Sequence, residues 1–315
     1  MKKLILIDGN AIAHRAFHAI RPLTTHNGEL VNAVFGFTSM LLNILSQENP
    51  DYIICTFDAA KKTFRHEQYE DYKATRVSAP DEFYAQIPRI YQIVEAFEIP
   101  LFVIEGYEAD DTIGTIAKKA EKISDLETII VTGDMDALQL VNDKVNVSTL
   151  HKGYSQTVRF DPNGVREKYG LEPKQIIDFK GLSGDSSDNI PGVMGIGPKT
   201  ATRLLQNYGD IKGVYENLDK IQGKIHEKLE KDKDKAFLSR DLATIRTDID
   251  LDFNLENCHT HEFNLGKVIE LFESLQFFSL IRRLRKWKEE NGYLAVTKDP
   301  ETSVKKVENE QLSLF

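Results

Sequence analysis

The stretch LFVIEGYEADDTIGTIAKKA, residues 101–120, contains three carboxylates within four positions, Glu108, Asp110 and Asp111, between a short apolar run and a helical pattern. LFVI has the length and composition of a buried strand, and DTIGTIAKKA places apolar residues at helical spacing. Together they read as one strand–turn–helix unit. Crowded like charges raise one another's pKa and cost stability. One or two acids suit the positive end of a helix dipole, but three, repeated elsewhere in the chain, need a further reason.

The same pattern recurs on both sides of this unit. KLILI, YIICTF and ETIIVT are short runs rich in isoleucine, leucine and valine, as expected of strands buried on both faces of a parallel sheet. Between the strands lie helical patterns at AVFGFTSMLLNIL, at 81–97 and at DTIGTIAKKAEKI. Strands alternating with helices predict a doubly wound α/β domain. KLILI is followed by Asp8, YIICTF by Asp58, LFVI by Glu108, Asp110 and Asp111, and ETIIVT by Asp134 and Asp136. In open parallel sheets the binding site forms outside the carboxyl ends of the strands, so four strands deliver seven carboxylates to one rim. Any one of them could be a helix N-cap, as Asp136 could be before ALQLV. Caps explain seven matched positions poorly.

No histidine or cysteine joins this rim, so an all-oxygen set suits hard cations such as Mg²⁺ or Mn²⁺. Such ions offset the repulsion and leave positions for water and substrate phosphates, the arrangement of two-metal phosphodiester cleavage. Glycoside hydrolysis needs only two carboxylates.

The chain has 315 residues, 41% of them apolar and 28% charged, enough for one large core or two modest ones. Its net charge of −9 argues at first against nucleic acid, unless the acids are concentrated in one place. Cys55 and Cys258 are too few and too distant for a disulfide framework. The apolar run of MKKLILIDGN is too short for a signal peptide, and no window is long enough to span a membrane, so a cytoplasmic location is expected.

Further along, DFKGLSGDSSDNIPGVMGIGPKTATRLLQNY, residues 178–208, adds Asp185 and Asp188 ahead of a glycine-rich turn. Its spacing, G-x-x-G-x-G after DNIP, is not a dinucleotide fingerprint. The plain reading is a tight turn between helices in which Gly192, Gly195 and Gly197 allow positive φ or close approach. Its backbone N–H groups beside a helix start can also hold a phosphate, with Lys199 and Arg203 adding sequence-blind contacts from one helix face. A second basic stretch, KKTFRHEQYEDYKATR at 61–76, interleaves cations with Phe64, Tyr69 and Tyr72. It reads either as a solvated helix face or, directly after Asp58, as a segment over the site. There cations would stabilise phosphate charge and aromatics would stack bases. CHTH at 258–261 has donors too few and too close for a zinc site.

Taken together, LILIDGN, FDAAKKTFRHEQYEDYKATR, GYEADD, TGDMDALQL and LSGDSSDNIPGVMGIGPKTA resemble the bacterial 5′-3′ exonuclease and flap endonuclease family, which includes the N-terminal nuclease domain of bacterial DNA polymerase I. The likeness runs from about Lys3 to about residue 285. It implies a parallel Rossmann-like sheet of the PIN/flap-nuclease type at 1–175, with a helical arch at about 61–90, and a helical helix-hairpin-helix domain at 176–288. It further implies a structure-specific nuclease acting on 5′ ends, flaps and nicks of DNA. A metal-activated hydroxide would attack and leave 5′-phosphates, in Okazaki-fragment processing and repair.

By the same resemblance Asp8, Asp58, Glu108, Asp110, Asp111, Asp134, Asp136, Asp185 and Asp188 occupy metal-ligand positions for two Mg²⁺ or Mn²⁺ ions. Tyr72, Lys73 and Arg76 match the catalytic arch, with Lys61, Lys62 and Arg65 as DNA contacts beside it. The turn GVMGIG matches a duplex grip that carries K⁺ on carbonyls such as those of Val193 and Ile196. Residues 289–315 read as a polar tail ending in QLSLF, similar to the peptide that docks bacterial proteins on the sliding clamp through Gln311, Leu312, Leu314 and Phe315. A chain ending so is expected to be a complete, standalone, monomeric and nucleoid-associated protein. The competing readings are a non-catalytic module that binds DNA junctions and a ribonuclease on a related scaffold.

Overall fold

The computed structural model describes residues 1–59, 61–151, 156–260 and 263–291. The tail peptide at 311–315 lies outside the described residues.

Six strands form one sheet: β1 (Lys2–Asp8), β2 (Tyr52–Phe57), β3 (Leu101–Val103), β4 (Leu126–Thr132), β5 (Val145–His151) and β6 (Gln156–Phe160), in the order β3-β2-β1-β4-β5-β6. All pairings are parallel except β5 with β6. Because successive strand residues point to opposite faces, Ile5 and Ile7 join one core and Leu4 and Leu6 the other. On the first face pack the helices Gly9–Ala19, Asn32–Glu48 and Ile87–Ala96, and on the second Ala109–Ala120 and Pro162–Tyr169. The order runs outward from β1 through β2 to β3 and then jumps back to β4. The switch point therefore lies between β1 and β4, where a crevice opens at the strand ends.

Two expectations about strands need correction. LFVI was expected to be buried on both faces, but β3 is a three-residue edge strand whose Leu101 and Val103 are 37% and 39% exposed. The hairpin β5–β6 was not expected. Its apolar residues alternate with polar ones instead of forming a run, which is the pattern of a half-buried strand. The helix expected over 81–97 is broken into Asp81–Tyr84 and Ile87–Ala96 around Gln86, with Pro88 in the first turn of the second piece. The Gln86 amide accepts from Ala33 N–H and donates to Asn32 and the Glu82 carbonyl, tying the break to the Asn32–Glu48 helix.

A third core, around Leu171, Leu182, Leu204, Leu205, Val214 and Leu229, belongs to helices between 171 and 243. The chain then returns to the sheet. Ile249, Leu251 and Cys258 pack on the second face, and Leu265–Ser274 and Phe278–Glu290 cover the first through Phe272, Phe277 and Leu284. The helical unit thus ends near 243, and residues 245–288, assigned to it from sequence, complete the core of the α/β layer.

Residues 61–90, the expected arch, carry two short helices, Phe64–Gln68 and Asp81–Tyr84, and the start of Ile87–Ala96. Between the two short helices, 70–75 is a run of turns, and Tyr72 is buried with Ile190, Leu242 and Ala243 where the helical unit meets the sheet. Apolar contact with the helical unit, and the hydrogen bonds of Tyr72 and Lys73 to Glu108, hold this segment at the site.

Candidate active site

The ends of β1 to β4 each lead to a carboxylate that accepts a backbone N–H at the start of a helix or turn. Asp8 caps the Gly9–Ala19 helix by accepting the Ala11 N–H at 2.9 Å, and its other oxygen accepts the Thr132 hydroxyl at 2.6 Å. The cap reading therefore holds for Asp8, but one oxygen remains turned across to β4. Asp58 accepts the Ala109 N–H at 2.7 Å and the Asn10 amide at 2.5 Å, linking β2 to the start of the Ala109–Ala120 helix. Glu108 caps that helix, and Asp134 caps the turn at Met135–Leu140 by accepting the Asp136 N–H at 2.9 Å.

These groups face a cleft of about 380 Å³ lined by Asp8, Asp58, Glu108, Asp110 and Asp134 together with Asn10, His14, Lys73 and Arg76. A second cavity of about 510 Å³ shares Ala11 and Asp134 with it and is lined by Asp136, Asp185, Lys180, Arg15 and Ser187. Seven of the nine acids named from sequence thus line one continuous depression at the switch point.

The other two are turned elsewhere. Asp111 is fully buried, and both its oxygens are taken by the Arg65 guanidinium, at 2.6 and 2.7 Å, and by the N–H groups of Glu108 and Arg246. It lines neither cavity and is a structural anion rather than a ligand position. Asp188 accepts from Arg76 and from the Tyr72 hydroxyl. Arg65, expected to contact DNA, is corrected likewise. Its side chain is 3% exposed, and it also donates to the carbonyls of Leu242 and Thr244. Tyr72 is 4% exposed and cannot stack an unpaired base as placed.

Burial first, and mutual repulsion after it, raises the pKa of three of these acids. Burial, reinforced by Asp58 and Asp134, lifts Asp8 to about 6 against its hydrogen bonds. Burial and then Asp8 and Asp134 push Asp110 well above the usual carboxylate range. Asp136 is raised to about 7, first by burial and then by Asp134. Where a lysine intervenes the balance reverses. Burial works to raise Asp185, but Lys180 at 2.5 Å and Ser187 hold it down at about 2.

Lys180 bridges Asp136 and Asp185, and Lys73 donates to Glu108 at 2.7 Å and lies 4.0 Å from Asp188. Burial lowers the Lys73 pKa, but Glu108 and Asp188 outweigh it and the net shift is upward, so its ammonium persists. Lys180, Asn10, Arg15 and Thr132 did not stand out in the sequence. Of these only Lys180 carried a signal, a charge inside the mostly apolar IIDFKGLS helix.

The seven carboxylates are oxygen donors, partly desolvated, which fits hard divalent cations, although His14, not expected at this rim, also lines the cleft. Among the described residues no group of three or more His, Cys, Asp or Glu stands ready-gathered around one ion. Cations of the protein itself pair with Glu108, Asp136, Asp185 and Asp188.

In the helical unit, Gly192 has φ +59°, and a Cβ there would lie 2.2 Å from the Gly184 nitrogen, so only glycine closes this turn. At Gly195, also at positive φ, the carbonyl accepts the Lys228 ammonium at 2.9 Å. Gly197, by contrast, has ordinary backbone and nothing within 4 Å of a Cβ, so the fold leaves open space there beside the start of Pro198–Tyr208. Lys199 and Arg203 are exposed on that helix. Val193 and Ile196 bury their side chains, and the Val193 carbonyl accepts the Ile196 N–H. Lys62 is exposed, and Lys61 pairs with Glu105 at the surface.

Residues 3–170 match the family model of the 5′-3′ exonuclease N-terminal resolvase-like domain, and residues 171–265 that of the 5′-3′ exonuclease C-terminal SAM fold. The chain is 44% identical over 284 residues to DNA polymerase I of Bacillus subtilis, an alignment covering 90% of this chain and 32% of that protein. It spans about a third of the length of the curated relatives it matches. Among solved structures it resembles T5 5′-exonuclease with bound divalent metal ions (zinc), at TM-score 0.65 and 19% identity, over 91% of this chain and 99% of that one. The catalytic core of Rad2 in complex with DNA substrate aligns at TM-score 0.61 and 15% identity, over 92% of each chain. These likenesses confirm a mostly parallel sheet followed by a helical unit, as the sequence led one to expect. No helix among the described residues is long and apolar enough to cross a membrane.

Proposed function

Because the chain belongs to the 5′-3′ exonuclease family, we propose that it hydrolyses DNA phosphodiesters at 5′ ends and at the base of 5′ flaps, using two Mg²⁺ or Mn²⁺ ions. The observation that carries this reading is the depression at the switch point, where seven carboxylates from four strand ends and the helical unit meet two basic side chains of one segment. Asp8, Asp58, Glu108, Asp110, Asp134, Asp136 and Asp185 would hold the ions, which, when bound, lower the pKa of water and polarise the phosphoryl oxygens.

The protein's own groups position and neutralise. Water adds to phosphorus and the bond to the 3′ oxygen breaks, leaving a 3′-hydroxyl and a 5′-phosphate. Lys73 and Arg76, now turned to Glu108 and Asp188, stand at the cleft wall where charge grows on the phosphate, and a preorganised cation there is worth about 10²–10³ in rate. Lys199, Arg203 and the backbone N–H groups of the Gly192–Gly197 turn hold duplex phosphates without reading sequence, with K⁺ on the carbonyls of that turn. The concentrated acids gain nothing for mere binding, which sets the reading apart from a junction-binding module.

The test is incubation of a 5′-flap duplex with the full chain in Mg²⁺ and in EDTA. Cleavage at the flap base in Mg²⁺ alone is expected. Binding without cleavage in both would leave the module, and preference for an RNA flap would leave the ribonuclease. We further propose that QLSLF docks the chain on the sliding clamp, supported by the likeness of those five residues to clamp-binding peptides. Pull-down of a bacterial clamp by the full chain, but not by a version ending at Glu310, is the expected result, and equal recovery removes the proposal.

A further inference from the structure

The chain returns from the helical unit to the sheet at residues 242–246, and side chains of the α/β layer hold that passage by its backbone. Arg65 donates to the carbonyls of Leu242 and Thr244, and Asp111 accepts the Arg246 N–H. Between them stands Gln139. Its Oε1 accepts the Ile245 N–H at 2.9 Å, and its Nε2 donates to the Ala243 carbonyl at 3.0 Å and to the Asp136 carbonyl at 2.9 Å. A side-chain amide has two donors and one acceptor oxygen. With two carbonyls and one N–H around it, only this orientation satisfies all three.

A glutamine with its bonds made is ordinarily a satisfied residue at an interface, and Arg65 already fastens the passage. What sets Gln139 apart is where its bonds end. One ends on the backbone of Asp136, whose residue lines the second cavity beside Asp134 and Asp185. The other two end at Ala243, the last residue of the Lys233–Ala243 helix, and at Ile245 just beyond it. On the same helix the Ser239 hydroxyl accepts the Gly192 N–H at 2.9 Å, in the turn assigned to the duplex. Four residues of helix, about 6 Å, separate Ser239 from Ala243. One stiff element therefore joins the turn to Gln139, and Gln139 joins it to Asp136. Lys180 also reaches Asp136 from the helical unit, but at the carboxylate, where it competes with any other cation. The bond from Gln139 is to the carbonyl and competes with none.

Resting on the nuclease reading above, we propose that Gln139 is a positioning residue that sets Asp136 for the ion of the second cavity, at a fixed offset from the helix that carries the duplex grip. Its loss weakens the ion and leaves the grip.

The test titrates the full chain with Mn²⁺ by calorimetry, without DNA, for the wild type, Gln139→Met, Gln139→Asn and Thr115→Val. Gln139→Met loses all three bonds. Gln139→Asn keeps the amide but is one methylene too short to reach both ends, and it carries the test should the Met variant fail to fold. Each is expected to weaken Mn²⁺ binding at one site about tenfold, as for loss of a group that orients a metal ligand. Thr115→Val removes the bonds to the Ile249 N–H and the Arg246 carbonyl along the same passage without touching Asp136. It should lower the melting temperature and leave the Mn²⁺ midpoint in place. Binding of a fluorescent 5′-flap duplex in EDTA should match the wild type in both Gln139 variants, while their single-turnover cleavage falls at low Mg²⁺ and recovers at high Mg²⁺. If a folded Gln139 variant binds Mn²⁺ as the wild type does, or if Thr115→Val weakens Mn²⁺ as much, Gln139 is only a fastener and the inference fails alone. Wild-type protein that binds no Mn²⁺ and leaves the flap uncut in Mg²⁺ removes the nuclease reading with it.

Discussion

Replacing Asp110 with Asn is expected to lower Mg²⁺-dependent flap cleavage by about 10³-fold, while raising the melting temperature of the metal-free protein. The loss follows because Asp110 lines the acidic cleft with Asp8, Asp58 and Asp134, and a cation site there supplies several kcal/mol to the transition state. The gain follows from linkage. Asp110 has a folded pKa well above its unfolded value of about 3.9. Between the two the folded state binds more protons, so stability falls as pH rises. Asp8, raised to about 6, and Asp136, raised to about 7, act in the same direction. The metal-free wild type should therefore lose stability from about pH 4 to about pH 7, and the Asn variant should lose less. Thermal melts in EDTA across that range, beside single-turnover cleavage in Mg²⁺, check both halves. Unaltered turnover, or a lower melting temperature, would overturn the assignment of Asp110 to the ion site.

Arg65→Ala is expected to destabilise the fold by about 3–5 kcal/mol, the cost of stripping one partner from a buried ion pair, against a typical total of about 5–15 kcal/mol. The substitution leaves the Asp111 carboxylate buried with no cation and frees the carbonyls of Leu242 and Thr244. It also releases Phe64–Gln68 from the place where the helical unit rejoins the sheet. Arg65→Lys should recover little, since one ammonium cannot serve the five acceptors that the guanidinium does. The double variant Arg65→Ala with Asp111→Asn should be more stable than Arg65→Ala alone, because the uncompensated charge is gone. Urea denaturation of the three proteins measures this. A cost for Arg65→Ala below about 1 kcal/mol, the value of an exposed pair, would show that the clamp is not buried in solution.

Much of the architecture was legible in the order of residues because its physics is local. β1, β2 and β4 are continuous apolar runs, and chain continuity fixes the acid that follows each at the strand's carboxyl end. The rim at Asp8, Asp58, Glu108, Asp110, Asp134 and Asp136 needed only that. Gly192 was likewise legible as a turn that tolerates no side chain. β5 and β6 were not, because a half-buried hairpin alternates. Nor was the return of 245–288 to the sheet, because an apolar helix face does not state which of two cores it covers.

Sequence by itself determined that a parallel sheet would carry its acids at one edge, since strand direction and side-chain period are properties of the local backbone. Only the tertiary structure decided what each acid does there. Asp110 and Asp111 are neighbours in the chain, yet one faces the cleft and the other is sealed by Arg65, 46 positions away. Arg65 and Arg15 look alike as letters, yet one is a buried clamp while the other has no hydrogen-bond or ion-pair partner among the described residues. A side chain's charge is set by its chemistry, but its role depends on what folding brings within about 3 Å of it, and those groups come from distant parts of the chain.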